Sequence, residues 1–297
     1  MRVNVDQLSI PIKTERNSIR LTLENLPQIA KCYGDGVAAR VLHAVCRRTE
    51  SILPDSLGAL TIEPCGLRIQ GWGWDSEIDF SRVHPALLLC CERPIDLGRT
   101  KISVAMSVDS DEGTGHHDIG YGSPSWLAIN EYRKDMAIAV AVYDALAKQE
   151  LELVEYPLET SGNGTEYPYY KSHARAVKNG NRVIGAGVFL RVLERLRLTR
   201  AFDRYVVQSA IKRLRERTEI KLGCEVSVLS AVDDVWWASL KDTLRRNPSI
   251  AARLVIEIRE PSVLAKRSQM IGFIMAIQRA GCGVSFSGFG TRPIHHG

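Results

Sequence analysis

No apolar run of about 18 residues occurs anywhere in the 297-residue chain, which excludes a bilayer-spanning helix. The opening Met1-Arg2-Val3-Asn4-Val5-Asp6 lacks the apolar core of a secretory signal, so a cytoplasmic location is expected. Charge imbalance is small: the net value of +5 calls for neither a nucleic acid nor an acidic membrane as partner. The seven cysteines (32, 46, 65, 90, 91, 224 and 282) are odd in number and follow no repeating spacing. They read as buried free thiols of a reducing compartment, including the vicinal Cys90-Cys91 in the apolar run from Pro85. Internal repeats and low-complexity tracts are missing. The glycine clusters Gly71-Trp72-Gly73 and Gly288-Phe289-Gly290 lack the strand–turn–helix spacing of a dinucleotide fingerprint and the lysine of a phosphate loop.

What is present is globular. Hydrophobic residues make up 45% and charged residues 25%, and the length suffices for two domains, each with its own core. Residues 1–17 read as a loose polar arm. Ile19 to Leu23 alternates as a half-buried strand does, and Pro27 to Ile52 has helical spacing broken at Tyr33-Gly34-Asp35-Gly36. Strands follow at Ala59 to Ile62 and Leu67 to Trp72, with Pro64-Cys65-Gly66 as the turn. A helix over Phe80 to Cys91, an alternating strand over Lys101 to Val108, a loop over Asp109 to Ser125 and a long helix over Trp126 to Gln149 complete the first half. The second half changes rhythm: strands at Leu151 to Leu158, Val226 to Leu229, Leu254 to Ile258 and Gly283 to Phe286 alternate with helices. Those helices fall at Phe189 to Leu196, Phe202 to Arg215, Val235 to Arg246 and Val263 to Ala280. This alternation predicts βα units on a parallel sheet, with a boundary near residue 150.

The segments LPQIAKCYGDGVAARVL (26–42), KISVAMSV (101–108) and EYRKDMAIAVAVYDAL (131–146) occur in an order similar to that of a GGDEF, or diguanylate cyclase, domain. The resemblance covers 18–149 and implies a mixed α/β sandwich. It also implies lost chemistry, because joining two GTP molecules needs metal-bound carboxylates. The first carboxylate position is Thr22, the guanine-reading positions are Ala30 and Ala39, and the signature hairpin falls on Glu63, Pro64, Cys65, Gly66 and Leu67. Pro64 has no backbone N–H to offer a phosphate.

The second half resembles an EAL, or cyclic di-GMP phosphodiesterase, domain. ELELVEYPLE (150–159), YYKSHARA (169–176), GVFLRVLERLRLTRAFDRYVVQSAI (187–211), ARLVIEIRE (252–260) and GCGVSFSGFGTR (281–292) follow the family's sequence of strands and helices. The resemblance implies a partial (β/α) barrel, C-terminally truncated, over 150–297. Here the signature glutamate is Lys171, and the paired aspartates are Ser287 and Gly288. The strand that supplies an asparagine offers Ser227, with the register open by a residue. Arg175 and Glu257 remain as candidate contacts for cyclic di-GMP. With ligand carboxylates missing, the resemblance implies no catalytic residues, no metal site and no cofactor.

The expected protein is thus α/β in class and a non-catalytic GGDEF–EAL-like regulator. It would act through a protein partner or homodimer covering the open barrel edge, with cyclic di-GMP as a second candidate ligand. Two alternatives stay open: a phosphodiesterase completed by another chain, or a truncated, non-functional product. Other constellations have plainer readings. His116-His117, near Asp109, Asp111 and Asp118, and His295-His296 read as solvated positions. The nine basic residues between Arg191 and Arg217, interleaved with acids, read as a solvated helix face, with a protein or nucleic-acid surface as the alternative. One of Trp236 and Trp237 is expected to face outward, as a candidate interface anchor.

Overall fold

A computed structural model describes residues 18–53, 59–70, 83, 86–110, 126–158, 169–179, 182–232, 234–259 and 267–287. The 1–17 arm, Trp72, Trp74, His116, His117, the 159–166 loop, Gly288 and the segment after it lie outside them.

The first half is built on a four-stranded antiparallel sheet, order β2-β3-β1-β6. Strand β1 (Ser18–Leu23) pairs with β3 (Gly66–Gln70) on one side and β6 (Met106–Ser110) on the other, while β2 (Ala59–Glu63) forms the edge. Ile19, Leu21 and Leu23 send the same face of β1 into the core, as period-two alternation demands. The broken helix is two helices, α1 (Leu26–Tyr33) and α2 (Asp35–Glu50). Pro27 suits the first turn of α1, where its missing N–H costs nothing. Gly34, at φ 95°, makes the break, a backbone angle that a side chain would oppose.

KISVAMSV is not one strand. Lys101–Ile102 (β5) pairs with Ile95–Asp96 (β4), and β6 begins only at Met106. Between them the Asn25 side chain takes over the ladder: its Nδ2 donates to Ser103 O at 3.1 Å and its Oδ1 accepts from Ala105 N at 3.0 Å.

Helix α3 (Trp126–Ala147) closes the first half and lays Met136, Ala139, Tyr143 and Leu146 into the core. The buried core continues across residue 150 without a gap into the second half. There β7 (Leu153–Pro157), β8 (Tyr170–Ala174), β11 (Leu222–Val226), β12 (Leu254–Arg259) and β13 (Gly283–Ser287) form a sheet of order β13-β12-β11-β8-β7. All neighbours are parallel except β7, which runs against β8. A hairpin of β9 (Ala176–Asn179) and β10 (Arg182–Gly185), not anticipated above, follows β8. Helices α4 (Ala186–Arg195) and α5 (Thr199–Glu216) then lead to β11.

The strand expected at Val226 to Leu229 is corrected: β11 ends at Val226, and Val228–Ala231 is a short helix, α6. Ser227 is the reason. Its hydroxyl accepts from Ser230 N at 3.2 Å and caps that helix, so the chain leaves the sheet there. The outward tryptophan is also corrected. Both indoles are buried, Trp237 completely, because α7 (Asp234–Arg245) packs against α8 (Arg267–Arg279). Trp237 packs at a tilt against Trp236 and Phe273 at ring distances of 4.2 and 4.7 Å, and its Nε1 donates to Ser230 O at 2.6 Å.

Candidate functional site

The parallel strands place their alternating residues on two faces. On one, Leu222, Cys224, Val226, Leu254, Ile256 and Ile258 join the apolar core. On the other stand Lys171 and His173 from β8, Gly223 and Glu225 from β11, Glu257 and Arg259 from β12, and Ser285 and Ser287 from β13. Register fixes this set: Lys171 sits beside Gly223, and Glu225, Glu257 and Ser285 lie in one row.

Glu257 is only 3% exposed, in a strand otherwise apolar except at its end. A lone carboxylate there would carry a large desolvation cost. Lys171 Nζ meets that cost, lying 2.6 Å from Glu257 Oε2 and 3.2 Å from Glu225 Oε2. Glu225 turns its other oxygen to Arg259, whose guanidinium also bonds Glu194 on α4. The charges therefore alternate along one chain: Glu257, Lys171, Glu225, Arg259, Glu194.

Burial alone would lower the Lys171 pKa, but the two carboxylates outweigh it and hold the ammonium above its ordinary range. Burial would raise Glu225; Arg259 and Lys171 overcome it and keep that carboxyl below its usual value. His173 is depressed, first by burial and then by the positive charge of Lys171, so it is neutral at physiological pH.

Tyr169 forms the floor. A methyl on Gly223 would lie 2.3 Å from its ring and 2.7 Å from Glu257 Oε1, so only glycine leaves room for the ring on the sheet. Burial and then the Glu257 charge push the Tyr169 hydroxyl up. Among the described residues, Glu257 Oε1 and Ser287 Oγ are buried without hydrogen-bond partners.

The two candidate contacts for cyclic di-GMP have different partners: Arg175 turns to Glu152 at 3.4 Å on the surface, while Glu257 holds Lys171. The strand position facing the cluster is Glu225, two residues before Ser227, which corrects the register suggested above. Ser227 belongs instead to a buried network in which Asp203 accepts from Ser227 N at 2.9 Å, Ser227 Oγ at 2.7 Å and Ser230 Oγ at 2.6 Å. Burial nevertheless raises the Asp203 pKa, because these hydrogen bonds only partly offset it. Sequence reasoning missed Glu225, Arg259 and Tyr169. The signal for Glu225 was the period-two step from Gly223 along β11.

In the first half, Thr22 lies on β1 beside Gly66 and Ser107. Ala30 is partly buried on α1, and Ala39 is exposed on α2. Glu63 is held by Arg68 at 2.6 Å and Arg20 at 3.3 Å. Pro64 and Cys65 are exposed at the hairpin tip, and Leu67 is buried. Gly66 is needed because a side chain would meet Leu21 O at 1.9 Å.

Much of the basic run from Arg191 to Arg217 is paired with acids of the chain, while Arg191, Arg195, Lys212, Arg213 and Arg215 are exposed, as a solvated helix face is. Arg195 forks Asp135, Arg197 and Arg200 hold Glu24, Arg204 bonds Glu92, and Arg213 and Arg217 share Glu155.

The EAL domain family matches residues 140–294, starting inside α3 and running through the charged sheet face. The chain belongs to the EAL domain family. This EAL region carries Lys171, Glu225, Glu257 and Arg259. No curated protein sequence matches the chain. Among solved structures, the S helix-GGDEF-EAL region of Vibrio cholerae LapD bound to c-di-GMP is 15% identical at a TM-score of 0.45, covering 91% of this chain and 69% of that one. The FimX EAL domain of Xanthomonas citri in complex with c-diGMP is 20% identical at 0.42, covering 52% of this chain and 61% of that one. An EAL domain protein from Listeria monocytogenes EGD-e is 18% identical at 0.42, covering 51% and 60%. The chain thus spans less than two thirds of the last two. Among the described residues no helix is long and apolar enough to cross a membrane.

Proposed function

We propose that this EAL-family chain is a catalytically inactive regulator in cyclic di-GMP signalling, acting by binding rather than turnover. In this reading residues 18–149 are a GGDEF-like domain that has lost its chemistry, and the second half is part of an EAL-type barrel. One observation carries the proposal: Lys171 Nζ lies between Glu257 and Glu225, at 2.6 and 3.2 Å.

Phosphodiester hydrolysis in this family calls for divalent cations held by carboxylates, which polarise the phosphate and activate water. The donors here do not fit such an ion. The two carboxylates are already neutralised by a covalently tethered ammonium, and Arg259 adds a second positive charge on Glu225. A divalent ion would have to displace Lys171 from a contact that is almost buried. Thr22, Ala30 and Ala39 support the same reading for the first half, since two methyls and a hydroxyl stand where ligands are needed.

The binding partner is a protein or a second copy of the chain, seated along β13, one of the two outer strands of the sheet among the described residues. Cyclic di-GMP is the candidate small ligand. Incubation of the purified chain with cyclic di-GMP and Mg²⁺ or Mn²⁺ is expected to give no linear dinucleotide, and turnover by the wild-type chain alone would overturn the proposal. Isothermal titration then divides its two arms. A dissociation constant below about 10 μM, roughly −7 kcal/mol, identifies a nucleotide receptor. Absence of heat favours a protein-interaction module.

A further inference from the structure

A seam runs between the two halves, and its centre is Glu24. This residue follows β1, and its position is set by the backbone: Glu24 N donates to Ala105 O at 2.8 Å, and its neighbour Asn25 anchors the same loop. Both carboxylate oxygens face the second half. Oε2 accepts from Arg197 Nε at 2.9 Å, and Oε1 lies 3.0 Å from Arg200 Nη2. Glu24 and Arg200 are 12% and 13% exposed, so the pairing is shielded from water and salt. Arg204 to Glu92 at 2.8 Å and Tyr143 Oη to Leu198 O at 3.0 Å flank it. The space left beside Tyr143 and Met106 is about 20 Å³, enough for one water.

Arg197 carries the decisive feature. Its φ is 59°, the left-handed region, at the end of α4. Leu198 N donates to Leu193 O at 2.7 Å and Arg197 N to Glu194 O at 3.1 Å. This is the paired bond pattern of a helix terminus whose left-handed residue is ordinarily glycine. An arginine there opposes the backbone preference. What glycine lacks is the guanidinium that reaches Glu24.

We propose that Glu24, Arg197 and Arg200 form a latch that fixes the two halves in one relative orientation, and that Arg197 occupies a glycine-type position because the latch needs its side chain. The device lies outside the charged cluster around Lys171 and does not depend on how that cluster is used.

Arg197→Gly separates the latch from a helix-capping role, because it improves the backbone fit while removing the ion pair. Hydrogen exchange is measured by mass spectrometry on the full chain for wild type, Glu24→Gln and Arg197→Gly. Both variants are expected to exchange at least tenfold faster in segments 86–106 and 195–208, while β11 and β12 stay within twofold of wild type. Should Glu24→Gln fail to fold, Arg197→Gly decides alone. Seam exchange within twofold of wild type in Arg197→Gly, or equal acceleration in β11 and β12, would overturn the latch.

Discussion

Lys171 and Glu257 form an ion pair of 2.6 Å although their strands are not neighbours; the lysine reaches across β11, over the gap left by Gly223. The pair is nearly buried, so its loss is not that of a surface salt bridge.

Lys171→Met leaves Glu257 without a cation and Glu225 with Arg259 alone. Breaking a buried pair costs about 3–5 kcal/mol, and chemical denaturation is expected to register a loss of that order. Adding Glu257→Gln to the same chain restores part of it, since the stranded charge is then gone. Equal stability of Lys171→Met and wild type would mean that the ammonium is not the counter-charge.

Millimolar Mn²⁺ is expected to raise the melting temperature of Lys171→Ala and to leave the wild type unchanged. A cation binding the native state alone stabilises it by mass action, and only the variant offers Glu257 without a counter-charge beside the Glu225 oxygen that Lys171 held. A similar shift in both would show that the ion binds elsewhere.

Gly223→Ala drives a methyl into the Tyr169 ring and Glu257, at the 2.3 and 2.7 Å noted above. Overpacking of this kind costs about 1–3 kcal/mol. Combined with Tyr169→Ala, the penalty shrinks, because the ring that collides is absent. Additive losses in the double variant would contradict the geometry.

Acid unfolding has a definite sign. Burial opposes ionisation of Glu24 and Glu225, but their arginines prevail and both pKa values fall below the ordinary 4.5. The stability they contribute is present above that value and is lost as pH falls through the depressed values. Asp203 works the other way: raised by burial, it favours the native state most when protonated, and that contribution fades as pH rises through its shifted value. Glu24→Gln is therefore expected to be less stable at pH 7 yet to show a flatter decline from pH 5 to 3. A parallel decline in both proteins would refute the assignment.

Much of the architecture was legible from periodicity. The β1 alternation, the glycine break between α1 and α2, the long α3 and the βα order of the second half all follow from local spacing and backbone chemistry. KISVAMSV misled because its alternation is real, while its ladder partner was taken by a distant side chain, Asn25. The Trp236-Trp237 pair misled because a helix exposed on one face can be covered again by another helix, and α8 lies far along the chain. Ser227 was noticed for a ligand role when its effect is to cap α6 and bond Asp203.

By itself, the amino-acid order determined most of the strand and helix spacing, and that a lysine rather than an acid stands at position 171. Those properties are local: spacing, propensity and side-chain charge are carried by each residue wherever it lies. Only the tertiary structure decided that this lysine is answered by Glu257 and Glu225, that Arg259 continues the chain to Glu194, and that Glu24 is gripped by two arginines more than 170 residues away. Such pairings depend on strand register and on how layers pack, which bring remote charges within bonding distance and away from water.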